Sequence, residues 1–481
     1  MRYKITVFTV LSVTVCVLLS GCTRMRQAAA TSDVQPTIFP DYKGVTIPVN
    51  IAPLNFMVEE AEHIQAVFSI DGNEQAAVCG SEGVVDIPAD KWKDMTAKAA
   101  GRKIDVEVSV WNDSNSDGVT YKPFTINVTK DSIDPWIAYR LIEPGYEAWR
   151  QIGIYQRELA SFEEVEMVTN KTTKSACVNC HHFQNRSSKR MMFHARGANG
   201  GTIFLENGRT RKIKPEKSVA YPAWHPGGRY IAFSSNVTRQ NFYGQGRQVL
   251  EVFDKSSDLV LYDTKEDKII TDPRFLTEET METFPSWSPD GKWLYFCSAA
   301  SKKKSKDLFY SILRVEFDGN SGKLGERIDT VYNARTQGGS ASFPRISPDG
   351  KYLLFTLAGF GTFPIWHNEA DLKMMLLDTG EPVDISVWND KENTESYHSW
   401  SENGRWVMFS SRRLDGRYTR VFIAYLDKNG KPHKPFLLPQ KNPRLNTLRL
   451  KSFNIPEFMD GRVDMPDNTV ELFKCEDNII Q

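Results

Sequence analysis

The sequence is poor in cysteine, with seven among 481 residues. Cys16 and Cys22 fall near the start, and Cys79, Cys177, Cys180, Cys297 and Cys475 include only one close pair, Cys177 with Cys180. A small scaffold stapled by disulfides is therefore excluded, and Cys297, inside an apolar run, reads as a core residue. The chain also lacks net charge, with 60 basic and 60 acidic residues, so no nucleic-acid partner is expected. Beyond residue 19 no apolar run is long enough to span a bilayer. Enzyme signatures are missing too: there is no G-x-S-x-G elbow, no H-E-x-x-H and no phosphate-binding loop. The glycines at 197–201 read as a loose turn, and the lysines at 302–306 as a solvated loop. These absences point away from an enzyme without excluding one.

What is present begins with an export signal. Arg2 and Lys4 precede an apolar run over 5–19, which stops at Leu19-Ser20-Gly21-Cys22. This run is short for a membrane span and reads as a signal peptide over 1–21. The small residues before Cys22 resemble the lipobox of bacterial lipoproteins. That resemblance implies acylation (palmitate) at Cys22 and an anchor in the outer membrane. No acidic run follows Cys22, which in lipoproteins of the Bacteroides group points to the periplasmic side. Residues 22–43 read as a tether.

Short apolar–polar alternations at 50–58, 64–70, 103–111 and 121–128 are separated by turn residues such as Asp71-Gly72. They predict a β-sandwich-like domain over 44–132, with a short helix at 88–99 burying Trp92. The second half repeats. Tyr221-Pro222-Ala223-Trp224-His225-Pro226-Gly227-Gly228 is followed by Phe284-Pro285-Ser286-Trp287-Ser288-Pro289-Asp290-Gly291. Phe343-Pro344-Arg345-Ile346-Ser347-Pro348-Asp349-Gly350 and Tyr397-His398-Ser399-Trp400-Ser401-Glu402-Asn403-Gly404 continue the series. Each copy makes a tight turn and then an aromatic–aliphatic strand suited to burial between sheets. Copies stand 63, 59 and 54 residues apart (Trp224, Trp287, Ile346, Trp400), which allows four short strands and inserted loops, the latter placed at 240–252 and 301–307.

These copies closely resemble the β-propeller repeats of TolB, which also occur in prolyl-oligopeptidase-like enzymes. Phe193 aligns with Phe233, and runs at 136–141, 152–158 and 163–168 read as an earlier blade. The fold expected is all-β: a β-sandwich-like domain, then a six-bladed TolB-like propeller over 133–440, then a closing segment over 441–481 around 456–458 and 470–473. The order of modules also resembles uncharacterised TolB-like lipoproteins of the Bacteroides group.

Cys177-Val178-Asn179-Cys180-His181 spells C-x-x-C-H, the attachment pattern of c-type haem. Two thiols would bind the porphyrin vinyl groups and His181 would ligate the iron. For the second ligand His194 comes first and Met192 next, since strand alternation puts them on one face, away from Met191. The basic residues at 186–190 would meet the propionates. The competing readings are a disulfide, a zinc site built from Cys177, Cys180, His181 and His194, or plain structure. His225 and His398 read as packing residues, and Trp366-His367 as lining a channel mouth. The function expected is an anchored envelope scaffold with a protein partner and one covalent haem c, used for electron transfer or redox sensing. The alternative is the same scaffold without haem.

Overall fold

The computed structural model of the chain describes residues 25–143, 151–173, 176–197, 200–215, 218–246, 248–301, 304–473 and 479–480. The expected signal peptide, Cys22 and Cys475 lie outside them, as do residues 302–303 of the lysine loop.

Among the described residues, six sheets are arranged as the blades of a propeller, antiparallel except where 479–480 pairs in parallel with 214–215 at one outer edge. Each blade runs from an inner strand to an outer edge. Blade 2 starts at Cys177–Phe183, blade 3 at Ala220–Trp224, blade 4 at Thr280–Trp287, blade 5 at Ser340–Ile346 and blade 6 at Glu395–Trp400. Blade 1 contains Trp136–Ile142, Gly153–Glu158 and Glu164–Thr169, but its inner strand is Ser452–Met459. The propeller thus extends past the expected boundary at 440. Trp136–Ile142 would otherwise present an unpaired inner edge, and the late strand covers it antiparallel, Trp136 facing Met459 and Leu141 facing Phe453.

The repeated turn explains the recurring Gly. Gly291 donates its N–H to the Ser288 carbonyl and Gly350 to that of Ser347, at 2.9 and 2.8 Å, each with φ of +72°. Ser288 and Ser347 hydroxyls bond Asp290 and Asp349 (2.6 Å each), locking the turn before the next strand. His225 plays the expected packing role. Gly227 N–H donates to its Nδ1 (2.9 Å), so Nε2 donates to the Gly291 carbonyl (3.0 Å) and bolts blade 3 to blade 4. Cys297 is fully buried, as expected of a core residue.

The N-terminal unit is built on one seven-stranded sheet whose central path includes His63–Ile70 and Lys103–Asn112. Over it lie the helix Ala89–Lys98 and a ribbon of Phe56–Met57 with Val84–Val85. Trp92 is buried as expected, its indole N–H donating to the Ile51 carbonyl (3.0 Å). Two strand expectations change. Only Phe56–Met57 of 50–58 is strand, and the run at 121–128 is split into Asn115–Tyr121 and Phe124–Thr129 around Pro123, which has no N–H for a ladder. The expected tether is also corrected: Ala30–Ser32 pairs in parallel with 119–121 and Tyr42 is fully buried. Ahead of Ala30–Ser32, backbone N–H groups of Arg26 and Ala29 already donate to Gln65 Oε1 (3.2 Å) and the Asp117 carbonyl (3.0 Å) of the sheet. One apolar cluster runs from this unit into blades 5, 6 and 1, and the Tyr42 hydroxyl donates to the Leu437 carbonyl of blade 6 (3.3 Å).

Candidate functional site

Every inner strand carries the same irregularity. The pairing slips by a bulge, and one residue takes a left-handed backbone: Ile455, Cys180, Tyr221, Phe284, Phe343 and Tyr397, with φ between 42° and 54°. Non-glycine residues adopt this conformation at a cost, so six in register mark one repeated device. The bulges turn these side chains onto the axis. Ring centroids lie 4.4 Å apart for Tyr221–Phe284, 4.3 Å for Phe284–Phe343 and 4.8 Å for Phe343–Tyr397. Cys180 and Ile455 complete the plug, leaving a gap of about 30 Å³.

The C-x-x-C-H stretch is thereby placed in the repeat. Asn179-Cys180-His181-His182-Phe183 stands where blade 4 has Thr283-Phe284-Pro285-Ser286-Trp287 and blade 6 has Ser396-Tyr397-His398-Ser399-Trp400. Cys180 takes the aromatic position and His181 that of Pro285 or His398. His398 donates from Nε2 to the Leu354 carbonyl (3.1 Å), in keeping with its expected packing role.

His181 is buried against blade 1, with Glu457 and Arg140 as its charged neighbours. Neither ring nitrogen has a hydrogen-bond partner, and burial pulls its pKa down to about 4, so it is neutral at pH 7. His194 packs on Phe233 of blade 3 (centroids 5.8 Å), with Nδ1 2.9 Å from the Thr202 hydroxyl and a pKa lowered by burial to about 3. Met192 belongs to the same blade 2–3 cluster, whereas Met191 and Phe183 pack toward blade 1. His181 and the expected second ligands therefore lie on opposite faces of blade 2. The alternation that joined Met192 to His194 holds; the bulge over 179–182 sends His181 the other way. Among the described residues no three His, Cys, Asp or Glu side chains gather as a metal site, so the four zinc candidates are not assembled. The basic stretch does not reach the cysteines either. Arg186 pairs with Asp134 (3.6 Å), and Arg190 is held by Glu206 (2.7 Å) over the Trp224 ring.

Against a haem, the donor chemistry fits in part: Cys180 is a free buried thiol, Cys177 a free half-buried one, and His181 an unpartnered imidazole. Burial raises the Cys177 thiol. On the axis side the 30 Å³ gap holds a water or two, against roughly 300 Å³ for a small-ligand pocket, and a porphyrin does not enter there.

The plug divides the channel. At the end where inner strands finish, the mouth is an open cavity of about 480 Å³ with Trp224, Trp287 and Trp400 in its wall. Their indole edges are structural: Trp287 donates to the Ala223 carbonyl (2.9 Å) and Trp400 to that of Arg345 (3.4 Å). Two residues after each left-handed residue, blades 3, 4 and 6 carry Ala223, Ser286 and Ser399, whereas blades 1, 2 and 5 carry Glu457, His182 and Arg345. These three line both the mouth and the gap at the plug. His182 Nδ1 is 2.8 Å from Glu457 Oε1, and that histidine holds the Glu457 carboxyl below its usual range despite burial. Glu457 Oε2 is buried without a partner, and the Arg345 guanidinium donates to the Pro344 carbonyl (3.2 Å). Sequence reasoning missed these residues; the signal was a charged side chain at a repeat position that is small elsewhere.

No protein-family model matches the chain, and no curated protein matches it. Solved structures do resemble it in fold. A protein assigned as TolB from Agrobacterium tumefaciens shares 16% identity over 64% of this chain and 89% of its own, with a TM-score of 0.39. Puromycin hydrolase shares 12% over 63% and 45% (TM-score 0.36). Prolyl oligopeptidase B from Galerina marginata shares 11% over 63% and 44% (TM-score 0.38). The chain thus spans under half of the two hydrolases.

Proposed function

We propose that the protein is a bacterial lipoprotein, held at Cys22 to the periplasmic side of the outer membrane, whose propeller captures a protein partner at its open mouth. The observation that carries this reading is that one 480 Å³ cavity is lined both by Arg345, whose guanidinium has donors beyond its bond to the Pro344 carbonyl, and by Glu457, whose Oε2 is a spare acceptor. A group that both accepts and donates, such as a peptide amide, satisfies both at once. The test is photo-crosslinking in intact cells from Pro226, Pro289 and Pro348 at the mouth, with Asn320 on an outer turn as the control. A partner is expected from the mouth positions and is lost in Arg345→Ala; equal labelling from Asn320, or none anywhere, refutes the reading. Cys22→Ser is expected to release the protein from the membrane.

A second reading adds one covalent haem c, and His181 favours it: a buried imidazole with no partner beside two free thiols. Cys177 and Cys180 would hold the porphyrin and His181 would ligate the iron from one face, adding one-electron chemistry to the scaffold. The intact mass of the exported protein decides: a gain of one haem that is lost in Cys177→Ala/Cys180→Ala supports it, and an unmodified polypeptide mass rules it out.

A further inference from the structure

Blade 3 is irregular in one respect. Its second and third strands, Tyr230–Phe242 and Leu250–Asp263, far outrun its inner strand, Ala220–Trp224, and its outer one, Lys268–Thr271. Ser234 already pairs with Ala220, where the inner strand begins, so the hairpin beyond it projects past the blade. It does so at the end of the channel away from the open mouth, the end where Cys177 lies. In a six-membered ring blade 6 stands opposite blade 3. Yet the hairpin tip (Tyr243, Val249) shares a cavity of about 510 Å³ with Trp366 of blade 5 and Asn393 and Arg413 of blade 6. The hairpin therefore crosses the axis.

Val249, Leu250 and Phe253 pack on the edge of the cluster shared by blades 4 and 5. Glu251 Oε2 meets His367 Nε2 at 2.8 Å, both side chains 2% exposed. His367 Nδ1 meets Glu369 of its own loop at 3.2 Å, and Arg412 of blade 6 stacks on the adjoining Trp366. Burial pulls the His367 pKa down, but hydrogen bonds and charge from the two carboxylates override it and raise it to about 9, so the imidazole is protonated at neutral pH. Other features oppose closure. Glu251 Oε1 is buried at this interface without a hydrogen-bond partner, a standing cost that water would relieve on opening. The ladder is also broken by a bulge between Val237 and Thr238, close to where the hairpin leaves the blade.

We propose that the hairpin formed by the described residues 236–246 and 248–256 is a lid on this end of the channel, hinged at the bulge and latched by Glu251 and His367. Asn236 and Asp254, bonded to each other at the base of the hairpin (3.0 Å), belong to it, and lifting it parts Asn236 from the Thr283 hydroxyl of blade 4 (3.4 Å) and uncovers that hydroxyl. The channel then has one open mouth, a plug, and one gated mouth.

Hydrogen exchange of the full exported protein at a fixed pH of 7 tests this. In Glu251→Gln and His367→Asn, amides of 236–256 are expected to exchange roughly tenfold faster or more, while 230–234, 259–263 and blade 5 keep their wild-type rates. Glu369→Gln, whose side chain is 56% exposed, is expected to stay near wild type. Unchanged exchange in the hairpin of both latch variants overturns the proposal. So does an increase spread equally through blades 3 and 5, which would make the pair structural only.

Discussion

Ring closure by a strand from the far end of the chain makes a sharp prediction at Phe453. This side chain is 3% exposed and meets the Tyr139 ring edge-on at 4.8 Å. It sits in the cluster that joins blade 1 to blade 6 and the N-terminal unit. Phe453→Ala removes the ring but keeps the backbone pairing with Leu141. A buried Phe→Ala change costs about 3–5 kcal/mol, and a domain has about 5–15 kcal/mol in all. The variant should therefore lose a large share of its stability. Leu448→Ala is the control, because Leu448 is 66% exposed and such changes stay within about 0.5 kcal/mol. Urea titrations followed by tryptophan fluorescence give both numbers, with equal slopes if only stability changes. If Phe453→Ala costs no more than Leu448→Ala, the late strand is not the inner strand of blade 1 and the closed ring is wrong.

Other outcomes follow from the plug and from the buried carboxyls. Phe343→Ala, lost from between Phe284 and Tyr397, is expected to cost about 3–5 kcal/mol in the same titration, and a near-zero cost would mean the rings do not pack on the axis. Burial raises the Glu282 carboxyl from 4.5 to about 7, partly offset by the Ser298 hydroxyl. A raised carboxyl penalises the fold in its charged form, so the cost is absent below about pH 4.5 and complete above about pH 7. Glu282→Gln carries no such cost, so its stability relative to wild type should improve by about 3 kcal/mol between pH 4.5 and pH 8. A difference that is constant with pH would contradict this.

The blades were legible because their signals are local. The Pro-Asp-Gly turn and the aromatic strand after it recur with a period, and each copy can be read without knowing its neighbours. The helix at Ala89–Lys98 and its buried Trp92 were legible for the same reason. Strand runs failed where one residue interrupts pairing, as Pro123 does between Asn115–Tyr121 and Phe124–Thr129. The segment at 240–252, expected to be a loop, starts and ends in paired strand, 240–242 with 250–252, in a hairpin crossing the ring, because a hairpin that finds contacts on distant blades looks in sequence like any insertion.

The haem pattern shows the division most plainly. Residue types and spacing alone established two thiols, an adjacent imidazole and their place in a degenerate blade. Only the tertiary structure decided that Cys180 fills one place in a six-part plug, and that His181 and His194 face different blades. The physical reason is that a bulge costs one residue locally but redirects every side chain after it, and which neighbour then receives them depends on how six sheets close into a ring. The chain's own order carries the period; the closure, made by Ser452–Met459 on Trp136–Ile142, belongs to the folded whole.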